Sequence, residues 1–342
     1  MAEEAQLARF GLFDARVPRY TSYPTAPHFN SDVTAGIFRE WVRAIPEGAR
    51  ISLYMHVPFC RRLCWFCACR TQGTASDDPV RAYAEVLKAE LAILADDLPR
   101  GVTLSRLHWG GGTPTMMPPE VMTEVAHTVF DVVPLGPDAE FSVEIDPNEI
   151  DDGRLDALAA AGRDQTFEVT KLAIDKLRAR GIASLNADIL FGLPFQTRER
   201  IAASVQKLLS LGPDRVALYG YAHVPWMARR QVMIPSDALP RPEERLALFE
   251  TARDLFVADG YAEIGIDHFA LPTDGLAIAA REGGLRRNFQ GYTDDTAAVL
   301  VGLGASSISR FPQGYAQNAP STSAYTKAVR AGAYATVKGH VF

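Results

Sequence analysis

The chain has 342 residues, 47% of them hydrophobic and 22% charged, a composition that excludes intrinsic disorder and fibrous repeats and suits one large α/β domain or two modest ones. Thirty-five Lys and Arg against 41 Asp and Glu give a net charge of −6, which argues against a nucleic-acid binder but leaves room for a local basic groove around a small anion. The acidic start MAEEAQLARF lacks a basic segment followed by an apolar run, and no stretch approaches 18 apolar residues, so a cytoplasmic chain without a membrane span is expected.

Residues 1–50 carry little regular pattern and read as an N-terminal arm. Within them Pro18–Phe29 (PRYTSYPTAPHF) reads as ordered chain laid across a surface, and a short helix is expected over Val33–Ala44. From Ile51 strand and helix alternate. Ile51–His56 reads as a buried strand. Asp78–Leu98 reads as an amphipathic helix, with Val80, Tyr83, Val86, Leu87, Leu91 and Leu94 at helical spacing, Ser76 or Asp77 as cap and Pro79 in the first turn. Strand Leu104–Trp109 leads into GGGTPT, and a helix follows over Pro119–Val132. Strand Glu140–Asp146 precedes helices over Asp151–Ala161 and Phe167–Arg180, the second ended by Gly181. A strand and loop over Ser184–Pro194, a helix over Arg198–Leu211, a strand over Arg215–Ala222, a helix over Pro242–Asp259 and a strand-like YAEIGIDHFA complete the reading.

Repeated strand-then-helix predicts a parallel sheet with helices outside, and Gly-rich and polar residues gather after the strands, where such folds place their chemistry. One junction breaks the rule. The helix ending near Gly162 runs almost directly into the one beginning near Phe167, with no strand between, and a parallel crossover needs one. Either a deletion in the chain or residues omitted between Gly162 and Arg163 would account for the break.

The four cysteines, Cys60, Cys64, Cys67 and Cys69, all fall in one loop, CRRLCWFCAC. Four cysteines this close cannot staple a large domain as disulfides, so ligation is the natural reading. The spacing C-x3-C-x2-C lets three thiolates hold three irons of a [4Fe–4S] cluster and leave the fourth iron open. The alternative is structural zinc with Cys69 completing a four-thiolate site, although zinc ligands more often come as two separated pairs that tie the fold together.

This loop resembles the signature of the radical S-adenosylmethionine (SAM) superfamily, and most closely that of the oxygen-independent coproporphyrinogen III oxidases. PRYTSYPTA, YMHVPFCRRLCWFCAC, HWGGGTPT, VEIDP, NADILFGLP, YAHVP, IDHFA and RNFQGYT are similar to that family's segments and stand in its order, from about Pro18 to about Gln317. The resemblance implies an incomplete (β/α) barrel with an N-terminal arm and a C-terminal domain, the latter apparently truncated here. The implied bounds are 1–50 for the arm, 51–235 for the partial barrel and 236–342 for the C-terminal part of the catalytic domain.

The implied reaction converts two propionates of coproporphyrinogen III to vinyl groups, giving protoporphyrinogen IX and carbon dioxide in haem biosynthesis. The reduced cluster would cleave SAM to methionine and a 5′-deoxyadenosyl radical, which takes hydrogen from the propionate β-carbon. The resemblance also implies a low-potential electron donor of the flavodoxin or ferredoxin type, and a monomer.

Carried over residue by residue, Cys60, Cys64 and Cys67 match the cluster ligands, and Tyr54, Gly111, Glu144 and Ile308 match contacts to cluster-bound SAM. Phe66, Gly112, Thr113, Arg163, Asp188 and Ala222 match contacts to a second SAM molecule. Independently of the family, Asp188 sits in an apolar strand where a buried carboxylate would need partners, which marks it as functional. His56 and His108 are expected to orient loops rather than ligate iron. Arg19, Arg61, Arg70 and Arg310 are candidates for binding propionates.

Two departures from the family stand out. The segment expected after Gly162 is missing, and with it a glutamine contact to the second SAM. The chain also ends at GHVF, short of the family's C-terminal domain. If both absences were real, a core without oxidase activity would be expected. The rival readings are a haem chaperone of the same superfamily, whose members generally lack a counterpart of Cys69, and a zinc-stabilised module without redox chemistry.

Overall fold

The structure, a computed structural model, describes residues 2–11, 23–146 and 167–342. The helix expected over Asp151–Ala161, the junction at Gly162 and Arg163, and residues 18–22 of the arm lie outside the described residues.

In chain order the strands are β1 (Arg50–Val57), β2 (Thr103–Gly111), β3 (Leu135–Val143), β4 (Asn186–Phe191), β5 (Arg215–Gly220), β6 (Ala262–Ile264), β7 (His268–Ala270), β8 (Leu300–Leu303), β9 (Ile308–Phe311), β10 (Gly314–Asn318) and β11 (Thr336–Val341). The helices are α1 (Ala2–Arg9), α2 (Ala35–Arg43), α3 (Asp78–Asp97), α4 (Pro119–Val132), α5 (Phe167–Ala179), α6 (Arg198–Leu209), α7 (Pro242–Ala258), α8 (Gly275–Glu282) and α9 (Thr322–Arg330). Contacts divide the chain into a larger unit, Pro24–Leu63 with Cys69–Ile182 and Asp295–Phe342, and a smaller one, Met1–Tyr23 with Cys64–Ala68 and Ala183–Asp294.

The larger unit holds a seven-stranded sheet in the order β11-β10-β9-β8-β1-β2-β3. Strands β8, β1, β2 and β3 run parallel, as the alternation predicts. Beyond β8 the sheet is antiparallel, which corrects the expectation of a parallel sheet throughout. These strands escape sequence reading because β8 to β10 have only four or five residues each, too short for a long apolar or alternating run.

The two-residue period of β1 decides which side is which. Ile51, Leu53, Met55 and Val57 are buried in the core with Val80, Leu87, Leu91 and Leu94 of α3 and Val121 and Val125 of α4. Each such side chain contributes about 1.5–3 kcal/mol when fully buried. Ser52, Tyr54 and His56 therefore point to the other face. Strand β3 begins earlier than expected, at Leu135, and ends at Val143, so Glu144 is the first residue past its C-terminal end.

Helix α3 starts where predicted with Asp77 as its N-cap residue, but the Asp77 side chain makes no capping bond. Its carboxylate instead takes a 2.7 Å bond from Arg61. Halfway along α3, Glu90 is fully buried and accepts from the Gly304 amide (2.7 Å), Asn318 Nδ2 (2.8 Å) and the Tyr325 hydroxyl (2.7 Å). Burial pushes its carboxyl up to about 7 against those three donors. Beside it the Tyr83 hydroxyl donates to the His56 carbonyl (2.9 Å) and accepts from the Ala305 amide (2.8 Å). These bonds hold the C-terminal ends of β1 and β8 together. Of the arm, Phe29 is buried and stacks on Tyr315, with ring centroids 5.8 Å apart.

The smaller unit carries a four-stranded sheet in the order β4-β5-β7-β6, with β4 and β5 parallel. Its core joins Ile201 and Val205 of α6, Leu248, Ala252 and Phe256 of α7, and Val216 and Leu218 of β5. The stretch YAEIGIDHFA, expected as one strand, turns at Gly265 (φ +63°) into the antiparallel pair β6 and β7.

Candidate active site

Four parallel strands of the larger unit end at one edge of the sheet, and residues in and just after their last stretches of chain make the site. The register sets Tyr54 beside His108, and His108 beside Ser142. The Tyr54 and His108 rings stack at 5.6 Å and 14°. Tyr54 is buried, and its hydroxyl bonds His56 Nδ1 at 2.9 Å. Burial, and after it the Glu144 charge, hold the phenol well above its usual range, so Tyr54 stays neutral. Burial also pushes the buried His56 imidazole down, toward its neutral form. His108 bonds Ser142 Oγ through Nδ1 (2.7 Å) and Glu144 through Nε2 (3.3 Å). Both histidines thus hold neighbours in place.

Glu144 is fixed from two sides. Its amide donates to the Trp109 carbonyl (2.8 Å), which continues the ladder one residue past β3, and its Oε2 accepts from the Gly111 amide (3.0 Å). The Gly110–Gly112 turn needs its glycines. Gly111 has φ +116°, and a Cβ there would stand 2.7 Å from His56 Cε1. A Cβ on Gly112 would stand 2.4 Å from the Phe59 carbonyl oxygen. The Gly112 amide donates to Val57 O (2.9 Å), and the buried Thr113 donates its amide to Phe59 O (2.7 Å), which laces this turn to the chain just before Cys60. Ile308, at the start of β9, is half-buried, and its carbonyl lies against Gly302, the residue paired with Tyr54 on β8.

In the cysteine loop Cys60 pairs with Gly73 in a short parallel strand pair, and the Cys67 amide bonds the Cys64 carbonyl at 3.3 Å. None of the four cysteines is in a disulfide. Cys60 and Cys67 are half-buried, and Cys64 and Cys69 are exposed. Of the propionate candidates, Arg61 is paired with Asp77, Arg70 is exposed and Arg310 is half-buried on β9. Arg19 and Arg163 lie outside the described residues.

The smaller unit contains Phe66, Asp188 and Ala222. Asp188 is exposed, which corrects the expectation that it is buried. Its neighbours Ile189 and Phe191 pack on the α6–α7 core, so alternation turns Asp188 to the opposite face, where Asn186 Nδ2 donates to it at 2.8 Å. The register aligns Asp188, Ala217 and His268 across β4, β5 and β7.

Phe66 and Ala222 are brought together by a residue that sequence reasoning missed. Gln231 is wholly buried. Its Nε2 donates to both the Phe66 carbonyl (2.9 Å) and the Ala222 carbonyl (3.1 Å), and its Oε1 accepts from the Val224 amide (2.6 Å). Nothing in ARRQVM announces that role; only the fold shows it. Gln231→Met keeps the bulk and strands three backbone groups, each costing about 1–3 kcal/mol if left unpaired. It is expected to lower the melting temperature and to speed iron release to a chelator. Release at the wild-type rate would show that the clamp does not steady the loop.

The residues fit an iron–sulfur cluster by donor chemistry. Three thiols without a disulfide suit iron. His56 Nε2 is in addition buried without a hydrogen-bond partner. Among the described residues, no three His, Cys, Asp or Glu side chains already converge as a metal site.

Comparison with known proteins gives a consistent result. Residues 54–166 match the family model of the Radical SAM superfamily. The oxygen-independent coproporphyrinogen III oxidase of Paracoccus denitrificans (strain Pd 1222) is 68% identical over 362 aligned positions, covering 100% of this chain and 80% of that protein. An alignment 20 positions longer than the chain (362 less 342) leaves at least 20 positions of that relative without a counterpart here. The corresponding oxidase of Escherichia coli (strain K12) is 37% identical, covering 91% of this chain and 72% of that one. The solved structure of Escherichia coli coproporphyrinogen III oxidase, a radical SAM enzyme, superposes with a TM-score of 0.89 at 36% identity, over 94% of this chain and 79% of that one.

Proposed function

The chain belongs to the oxygen-independent coproporphyrinogen III oxidases of the radical SAM superfamily, and from that premise we propose how its residues divide the work. The reaction is the anaerobic oxidative decarboxylation of coproporphyrinogen III to protoporphyrinogen IX in haem biosynthesis, with a [4Fe–4S] cluster and SAM as cofactors. The observation that carries this is 68% identity across the whole chain to an oxidase of that name. The haem-chaperone and zinc-module readings are not favoured, because the close relatives are named as oxidases.

Cys60, Cys64 and Cys67 would ligate the cluster, which supplies the electron that opens the SAM sulfonium to a 5′-deoxyadenosyl radical. Tyr54, Gly111, Glu144 and Ile308 would contact the SAM bound there. The Glu144 carboxylate, held by the Gly111 amide and by His108 Nε2, is the proposed acceptor for an ammonium or ribose hydroxyls. The neutral Tyr54 and His56 add no charge beside it. The Gly110–Gly112 turn has no room for side chains against His56, Glu144 and Phe59, and that close packing sets Glu144 and the chain before Cys60 in place.

Phe66, Gly112, Thr113, Asp188 and Ala222 are proposed contacts of a second SAM, with Arg163 of the undescribed stretch as a further one. The bounds 1–50, 51–235 and 236–342 stand as the proposed arm, partial barrel and C-terminal part. A low-potential flavodoxin or ferredoxin is the proposed donor, and a cytoplasmic monomer the proposed setting. Among the described residues no helix is long and apolar enough to cross a membrane.

Anaerobic incubation of the reconstituted protein with SAM, dithionite and coproporphyrinogen III tests the reading. Protoporphyrinogen IX and methionine are expected. Tight haem binding without loss of carbon dioxide would favour the chaperone instead.

A further inference from the structure

A groove of about 500 Å³ opens in the larger unit beside the strand pair that carries Cys60. Phe59, Pro79 and Tyr83 supply apolar lining, and Gln72, Lys327 and Arg330 supply polar lining. Phe59 is bonded directly to Cys60, one Cα step of about 3.8 Å. Gln72 pairs with Phe59 and donates to Thr322 Oγ1 at 2.5 Å, which fastens the start of α9 to the same strand pair.

The two charged residues that line the groove, Lys327 and Arg330, are both cations. In a protein of net charge −6, residues 57–76 contain Arg61, Arg62 and Arg70 and no Asp or Glu. Residues 319–342 contain Lys327, Arg330 and Lys338 and again no Asp or Glu. Arg61 is engaged by Asp77, whereas Lys327 and Arg330 are exposed in the last turn of α9. Asp78, beside Pro79 of the lining, is an exposed acid set against these cations.

We propose that this groove is the docking face for the electron donor, a small acidic carrier with a flavin or iron–sulfur centre. The proposal rests on the assignment of Cys60 to the cluster. An apolar floor with a basic rim fits the small, transient interfaces of electron carriers, and opposite charges steer the encounter. In the step served, the reduced carrier loses one electron and the cluster gains it, with no bond or proton transferred. The substrate is also an anion, so its propionates are the competing claim on Lys327 and Arg330.

The double variant Lys327→Glu/Arg330→Glu, on the reconstituted enzyme, separates the two. With photoreduced flavodoxin as donor at low ionic strength, cluster reduction is expected to slow about tenfold. Added salt should slow the wild type toward the variant. With dithionite as donor, turnover and the KM for coproporphyrinogen III should stay at wild-type values. Unchanged flavodoxin rates at low salt would overturn the proposal. So would a raised KM under dithionite, which would assign the two cations to the substrate. A wild-type protein that dithionite itself cannot reduce would remove the cluster assignment, a different failure from either of these.

Discussion

Serine at Cys60, Cys64 or Cys67, one position at a time, is expected to abolish oxidase activity, with a fall of at least about a thousandfold, while Cys69→Ser keeps its iron and sulfide. On the proposed assignment, three protein ligands would hold three irons. Losing one leaves two, too few to retain the cube against exchange with solvent where two of the loop's cysteines are already exposed. The loss acts on chemistry rather than on folding, because none of the four thiols forms a disulfide. Circular dichroism and the melting temperature of each metal-free variant should match those of metal-free wild type. Anaerobic iron and sulfide analysis reads the effect. A Cys64→Ser protein with wild-type iron and activity would remove that residue from the ligand set. Loss of iron in Cys69→Ser would bring back the four-thiolate reading.

Gly112→Ala is expected to damage the same loop from the opposite side. Its new Cβ would fall 2.4 Å from the Phe59 carbonyl oxygen and 2.9 Å from both the Phe59 carbonyl carbon and nitrogen. These are backbone atoms, so no side-chain rotation relieves the clash. Two chain segments must part, and with them the bonds from Gly112 to Val57 and from Thr113 to Phe59. Overpacking of this kind costs about 1–3 kcal/mol, and the displaced residue adjoins Cys60. A lower melting temperature and at least about a hundredfold loss of turnover are expected. Gly181→Ala is the control. It has φ +82° and nothing within 4 Å of the added Cβ, so it should cost only about 1 kcal/mol of conformational strain and leave turnover intact. Equal losses of turnover in the two variants would show that the contact with Phe59 is not what matters.

The sequence was most legible where local pattern and chemistry coincide. The cysteine spacing, the GGG turn after a strand and the apolar strand at Ile51–His56 are each local features that can be read in one pass. Ile51–His56 reads as a buried strand, and the structure buries Ile51, Leu53 and Met55 in the core and Ser52, Tyr54 and His56 on the other face. What could not be read depends on distant pairing. Asp188 looked buried because it sits among apolar residues, yet the side of a strand is decided by which helices cover it, and α6 and α7 cover Ile189 and Phe191. Gln231 clamps a loop 165 residues earlier, and no local pattern encodes such a contact. The short antiparallel strands β9 to β11 gain their stability from neighbours rather than from propensity, which weakens any single-sequence signal. The strand-free junction at Gly162 and Arg163 was legible as a break, and it falls among residues outside the described ones.

Iron and acid-labile sulfide, measured together with electron paramagnetic resonance on protein prepared and reconstituted without air, test the central claim most directly. About four of each per chain are predicted, with a signal after dithionite reduction that changes when SAM is added, because one iron carries no protein sulfur. Stoichiometric zinc bound by all four sulfurs, or a full iron complement whose signal ignores SAM, would contradict it.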